Sequence, residues 1–223
     1  MPLTVKICGL RTAETIDAAI EAGADMVGFV LFPPSPRHVG FDEARILARH
    51  VAGRAQKVVL TVNADDALMD AAVEAIQPDI LQLHGQEDAA RAAHLRARHG
   101  RAVMKALGVS TAADLDAAQA WAGACDHLLF DAKPPKDATR PGGNGLAFDW
   151  TLLAGRRFDA PWLLSGGLTL ANVAAAVRTS GAPGVDVSSG VESAPGVKDP
   201  ALIAAFVQAA RAAADPVPEG PRP

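Results

Sequence analysis

The sequence predicts an α/β fold, built as a single (β/α)8 TIM barrel. Three observations carry that expectation. Eight short apolar runs alternate with Ala-rich amphipathic stretches, which implies parallel strands joined by helical crossovers. Eight such units occupy most of a 223-residue chain, near the small end of the barrel range. The polar residues that interrupt the runs gather at their C-terminal ends, where barrels keep their functional groups. An open doubly wound sheet uses the same alternation, and periodicity alone does not exclude it.

The elements follow in order. A first strand over residues 3–8 leads to a helix over 13–22, opened by Thr12 as N-cap. The second strand, 26–32, precedes a helix over 42–50. The third, 57–62, precedes a helix over 65–76, with Asn63 and Asp65 at its start. The fourth strand spans 80–84 and its helix 87–98; the fifth spans 102–107 and its helix 112–121, behind Thr111. The sixth strand, 127–131, runs into an irregular segment over 132–147 and a short helix over 148–153. That segment holds Pro134, Pro135, Pro141 and the run Gly142-Gly143-Asn144-Gly145, and loops that long tend to be functional. The seventh strand, 162–165, leads to a helix over 170–179. The eighth, 184–187, leads to a helix over 200–213 that Pro200 opens. Residues 1–214 are expected to form the barrel, and the Pro-rich residues 215–223 a disordered tail.

Composition narrows the function. Lys and Arg number 21 against 25 Asp and Glu, a net charge of −4, with 49% hydrophobic residues. Disordered chains lack that apolar content, and nucleic-acid binders carry a basic balance. The longest apolar stretch, residues 26–34, is far short of the roughly 20 residues that span a bilayer, so no membrane partner is expected. The opening residues lack the apolar core of a signal peptide. With only Cys8 and Cys125 and no export signal, a reducing, cytoplasmic setting is expected. The chain has no Tyr.

Side-chain alternation then sorts the polar strand residues. Period two puts Lys6 with Cys8, Gln82 with His84, and Asp186 with Ser188 on shared faces; Asp131 ends the sixth strand. With the apolar positions against the helices, this set faces the barrel interior. Cys8, His84, Asp131 and Ser188 then stand at the C-terminal mouth. Lys6 and Asp186 lie one layer deeper, where a closed barrel makes them neighbours able to pair. Taken singly, a buried Cys is more often a small hydrophobe, and a strand His more often a structural hydrogen-bonder. The His and Cys spacings suggest no metal site, and P-loop, dinucleotide and nucleophile-elbow motifs are missing. No cofactor or metal is therefore expected.

Two segments suit an anion. Ser165-Gly166-Gly167 follows the seventh strand and opens a helix, and Ser188-Ser189-Gly190 follows the eighth. Glycine-rich turns bring backbone N–H groups close to a phosphate, and barrels often bind phosphate after strands seven and eight. Gly145, from the long sixth loop, offers a further wall of that site.

These residues together resemble the phosphoribosylanthranilate isomerases of tryptophan biosynthesis. The resemblance rests on Val5-Lys6-Ile7-Cys8-Gly9-Leu10, Pro34-Ser35-Pro36-Arg37-His38-Val39, Leu81-Gln82-Leu83-His84-Gly85, Leu129-Phe130-Asp131, Gly142-Gly143-Asn144-Gly145, Leu164-Ser165-Gly166-Gly167-Leu168 and Val185-Asp186-Val187-Ser188-Ser189-Gly190-Val191-Glu192. It runs from about Val5 to Phe206. Departures include His38 where the family often has Tyr, Thr61 for a frequent Phe, and Asn144 for Thr or Ser. The resemblance implies a TIM barrel that isomerises a phosphosugar by an Amadori rearrangement without cofactor. It implies Cys8 as general base, Asp131 as general acid and Arg37 as the holder of the anthranilate carboxylate. Gly145, Gly166, Gly167, Ser188 and Ser189 are the expected phosphate cradle. Gln82 and His84 are expected to line the floor and Asp186 to orient Lys6; Lys6, on the same strand face as Cys8, is the candidate for a field that favours its thiolate. A monomer or a homodimer is compatible with the Ala-rich helix surfaces. Related phosphosugar barrels would want Lys and Glu, or paired Asp, at these strand ends. A non-catalytic phosphometabolite binder would need no acid–base pair at all.

Overall fold

A computed structural model of the chain describes residues 2–134, 142, 143 and 145–214. The expected tail at 215–223, and Pro135, Pro141 and Asn144 of the sixth loop, lie outside the described residues.

Eight parallel strands close a barrel in chain order. They are β1 (Thr4–Cys8), β2 (Met26–Val30), β3 (Gln56–Thr61), β4 (Ile80–Leu83), β5 (Ala102–Val109), β6 (His127–Ala132), β7 (Trp162–Leu164) and β8 (Gly184–Val187). Closure is direct: β1 pairs with both β2 and β8, and its register on β8 sets Lys6 opposite Asp186. This excludes the open sheet.

Outside the strands lie α1 (Ala13–Glu21), α2 (Phe41–Val51), α3 (Asp66–Ile76), α4 (Ala89–His99), α5 (Ala112–Asp116), α6 (Val173–Ser180) and α7 (Pro200–Ala214). Their starts follow capping chemistry. Thr12 accepts from Thr15 N, Asp65 from Leu68 N, and Thr111 forms a reciprocal capping box with Asp114. Gly100 and Gly181 end α4 and α6 in the left-handed conformation that glycine adopts without strain.

Four expected helices are corrected, the first of them the one expected over 170–179, which runs Val173–Ser180 as α6. The fifth helix stops at Asp116 and tightens into a 3-10 turn, Ala117–Trp121, which sets the Trp121 ring 5.3 Å from the Lys105 ammonium. The sixth is only a 3-10 turn, Trp150–Leu153, capped by Asp149. The fourth helix begins two residues later than expected, because Asp88 caps it and Glu87 turns inward instead. Glu87 accepts from Asn63 N, Gly85 N and the buried Lys105, tying the loops after β3 and β4 together. A short hairpin, β9 (Glu192–Ala194) with β10 (Val197–Lys198), was not foreseen.

Apolar side chains occupy two regions. One layer, including Val5, Phe29, Leu81, Phe130 and Val185, packs the barrel wall against Ile16, Leu47, Met69, Leu95 and Phe206 of the helices. A second cluster, Met26, Val58, Ile80, Met104, Ala106, Leu129 and Leu163, plugs the barrel interior from below. Polar interior residues therefore begin only above that plug, at the C-terminal half. No helix among the described residues is long and apolar enough to cross a membrane.

Candidate active site

The C-terminal mouth is a cleft open to solvent, with about 790 Å³ of space counted up to the solvent boundary. Cys8, Arg37, His84, Asp131, Gly145, Ser165, Gly166, Gly167, Asp186, Ser188 and Ser189 all line it. Strand ends and the loops that follow them thus bring together residues as far apart in the chain as Cys8 and Ser189, 181 positions. Lys6 and Gln82 do not line the cavity. Both are fully buried beneath it and act through neighbours.

Lys6 stands behind Cys8. Its ammonium donates to Asp186 Oδ1 at 2.8 Å and lies near the Cys8 thiol, both close to Gly28. Asp186 Oδ2 accepts from Ser165 Oγ at 3.1 Å, so the pair's second oxygen is satisfied. Burial works against the Lys6 ammonium, but Asp186 and Cys8 outweigh it and hold its pKa above the ordinary value. For Cys8 the balance differs. Burial pushes the thiol up, Lys6 pulls it down, and the Asp186 charge returns part of the rise. The net direction is upward, so Lys6 moderates the effect of burial without reversing it. Gly28, opposite Cys8 in register, leaves room for the sulfur; a Cβ there would stand 3.1 Å from Sγ.

Asp131 faces the cavity from the end of β6. Its Oδ1 accepts from Ala132 N at 2.8 Å, and His84 Nε2 lies 3.2 Å from Oδ2. Gln82 Nε2 stands 3.1 Å from His84 Nδ1. With the amide donating there, the ring's Nε2–H points at Asp131, a tautomer assigned from this network. Gln82 thus orients His84, and His84 orients Asp131.

Arg37 is the residue that sequence reasoning placed least fully. It is 4% exposed, and its Nε and Nη2 bond Glu192 at 2.6 and 2.9 Å. Its stem crosses Gly9, where a Cβ would come 2.7 Å from Arg37 Cδ. Glu192 also accepts from Lys198 Nζ at 2.8 Å, and Lys198 donates to Ser188 O and Oγ. Burial opposes the Glu192 carboxylate, yet Arg37 and Lys198 outweigh it and hold its pKa below the usual carboxylate range. Glu192 closes the last quoted motif and Lys198 follows it within six residues, but nothing in their spacing announced a shared ion network.

The anion end is built from backbone. Gly166 and Gly167 have φ of +86° and +62°. Asn172 Nδ2 donates to Gly167 O at 2.9 Å and fixes the turn. A Cβ on Gly167 would meet Ala147 N at 2.6 Å, so the stretch after Gly145 lies directly on this turn. Ser188 Oγ donates to the Cys8 carbonyl at 3.0 Å, joining the β8 loop to the thiol's own strand. Between these polar ends, Val30, Leu60, Phe32 and Val62 form an apolar wall beside Cys8, which strand patterning had not singled out as a ligand surface.

The sequence model of the family described as N-(5'phosphoribosyl)anthranilate (PRA) isomerase matches residues 5–209. The N-(5'-phosphoribosyl)anthranilate isomerase of Rhodopseudomonas palustris (strain BisB18) is 60% identical over 212 residues, covering 95% of this chain and 97% of that protein. The crystal structure of phosphoribosyl anthranilate isomerase from Thermotoga maritima superposes with a TM-score of 0.85 at 34% identity, over 94% of this chain and 99% of that one. A crystal structure of such an enzyme in complex with reduced 1-(o-carboxyphenylamino)-1-deoxyribulose 5-phosphate superposes at 0.82 with 32% identity, over the same shares. A match of that extent, on a barrel whose mouth carries an acid, a thiol, a guanidinium and glycine turns, means that the chain belongs to the phosphoribosylanthranilate isomerase family.

Proposed function

We propose that Cys8 is the general base and Asp131 the general acid of the isomerisation this chain catalyses. The activity itself is the Amadori rearrangement of N-(5-phosphoribosyl)anthranilate to 1-(2-carboxyphenylamino)-1-deoxyribulose 5-phosphate, in tryptophan biosynthesis. The observation that carries the assignment is that Cys8 and Asp131 share one cavity, between glycine turns and the Arg37 guanidinium. The steps follow from the chemistry. Asp131 protonates the ring oxygen, and the nitrogen lone pair opens the ring to an iminium ion. The Cys8 thiolate removes the proton from the second sugar carbon, and the electron pair moves toward the iminium to give an enolamine. Tautomerisation delivers the ketone. The iminium is the electron sink, so the sequence of steps needs no redox group.

Arg37 receives the anthranilate carboxylate through paired N–H bonds. The wall of Val30, Leu60, Phe32 and Val62 receives the aromatic ring, which suits its apolar faces. Gly145, Gly166, Gly167, Ser188 and Ser189 hold the phosphate. Lys6 and Asp186 set the field at Cys8, and His84 with Gln82 holds Asp131. Residues 1–214 act as one catalytic unit, in the cytoplasm, where both buried cysteines stay free thiols.

Asp131→Asn tests the acid. Turnover of freshly made substrate is expected to fall about 10²-fold, the lower end for a positioned proton donor, because nitrogen and water already assist ring opening. Unchanged turnover overturns the role. Gly166→Ala tests the cradle. Its Cβ would stand 2.5 Å from Ala132 N and 2.9 Å from Asp131 Oδ1. A left-handed non-glycine residue costs about 1–3 kcal/mol, so steady-state kinetics should show KM raised about tenfold and kcat lowered as well.

A further inference from the structure

We propose that Glu192 is a positioning residue that makes the site selective for an arylamine bearing a carboxylate, by splinting Arg37 from hairpin β9–β10. This rests on the reading of Arg37 as the carboxylate clamp. A guanidinium has two edges that accept a planar carboxylate. Glu192 fills one of them, the Nε–Nη2 edge, at 2.6 and 2.9 Å. The Nη1–Nη2 edge has no hydrogen-bond partner of its own among the described residues; Gly143 packs beside Nη1, where a Cβ would stand 2.5 Å away, so a side chain there would crowd the edge. The free edge is therefore presented to the cavity in one fixed orientation.

Charge balance supports the same reading. Arg37 and Glu192 alone would be a neutral pair with little pull on a second carboxylate. Lys198 bonds Glu192 Oε1 at 2.8 Å and brings the trio to a net charge of +1. The surplus is available to an anionic ring substituent. The hairpin is also a mechanical support. Gly196 N donates to Glu192 Oε2 at 3.2 Å, and Gly196 sits so close under the Pro36 carbonyl that a Cβ would collide with it. The turn thus braces the backbone that carries Arg37. Through Lys198 and Ser188 the splint continues to the carbonyl of Cys8.

The test uses the full chain and two substrates, made by condensing ribose 5-phosphate with anthranilate or with aniline. The readout is the ratio of their kcat/KM values on one preparation, which is independent of how much of the enzyme is folded. Glu192→Gln is expected to lower the ratio about tenfold, mainly through KM for the carboxylated substrate, as loss of a charge-assisted bidentate pair implies. Glu192→Asp keeps the charge beside Lys198 but is one methylene short, and should lower the ratio less. In an Arg37→Ala background, Glu192→Gln should not change the ratio further. If Arg37→Ala slows both substrates alike, the clamp reading fails. If Arg37→Ala is selective while Glu192→Gln and Glu192→Asp slow both alike, Glu192 is merely structural and this proposal alone falls. Should Glu192→Gln not fold, the ratio for Glu192→Asp decides in the same way.

Discussion

Replacing Cys8 by alanine is expected to lower kcat/KM toward the upper end of the roughly 10²–10⁴-fold range for losing a positioned base. Removing a proton from carbon is slow without a placed base, and slower than ring opening, so this loss should exceed that of Asp131→Asn. Binding of the reduced product analogue should change little, since Arg37 and the glycine turns are untouched. Cys8→Ser should resemble alanine, because an alcohol is a far weaker source of anion than a thiol. The pH profile gives a second reading. A base acts when unprotonated, so activity rises with pH as the thiolate forms, about tenfold per unit below its pKa. Burial pushes that thiol up, so the climb should continue from neutrality into the alkaline range. Turnover of the alanine variant within tenfold of the parent, or a flat profile above neutrality, would remove Cys8 from the role.

The second large effect is on stability. Lys6→Met strands Asp186 in the interior with Ser165 as its remaining side-chain partner. Breaking a buried pair from one side typically costs about 3–5 kcal/mol. For a chain of this size, at about 2–4 °C per kcal/mol, the melting temperature should fall by about 10 °C. The double variant Lys6→Met/Asp186→Leu should recover most of that stability, because an apolar pair of similar volume replaces the charges. It should not recover activity, since the field at Cys8 is gone. Thermal melts and steady-state rates on both variants check this. A single variant that melts like the parent would mean that no uncompensated charge is left inside.

Much of this was legible because barrel strands write their orientation in alternation. Lys6, Gln82, Asp131 and Asp186 interrupt apolar runs that otherwise face the helices, so their inward direction follows from period two. The pairing of Lys6 with Asp186 followed from closure. What resisted reading has physical causes. Hairpin β9–β10 has strands of three and two residues, too short to show a period. Glu87 falls in the span expected for the fourth helix and Lys105 in that of the fifth strand, and only the loop geometry buries them together. The fifth helix carried a helical pattern through Trp121, yet it tightens to a 3-10 turn after Asp116, and the Trp121 ring lies over the Lys105 ammonium. Arg37 was legible as a guanidinium at the mouth, whereas its splint depends on residues 155 positions away.

The plug of Met26, Val58, Ile80, Met104, Leu129 and Leu163 makes the barrel a vessel with a single opening. Substrate and product must use the same doorway, and a product still seated there excludes the next substrate. Residues ringing that doorway handle arrivals and departures alike. A substitution that tightens capture will therefore slow release, and the rim cannot be tuned for one traffic direction without altering the other.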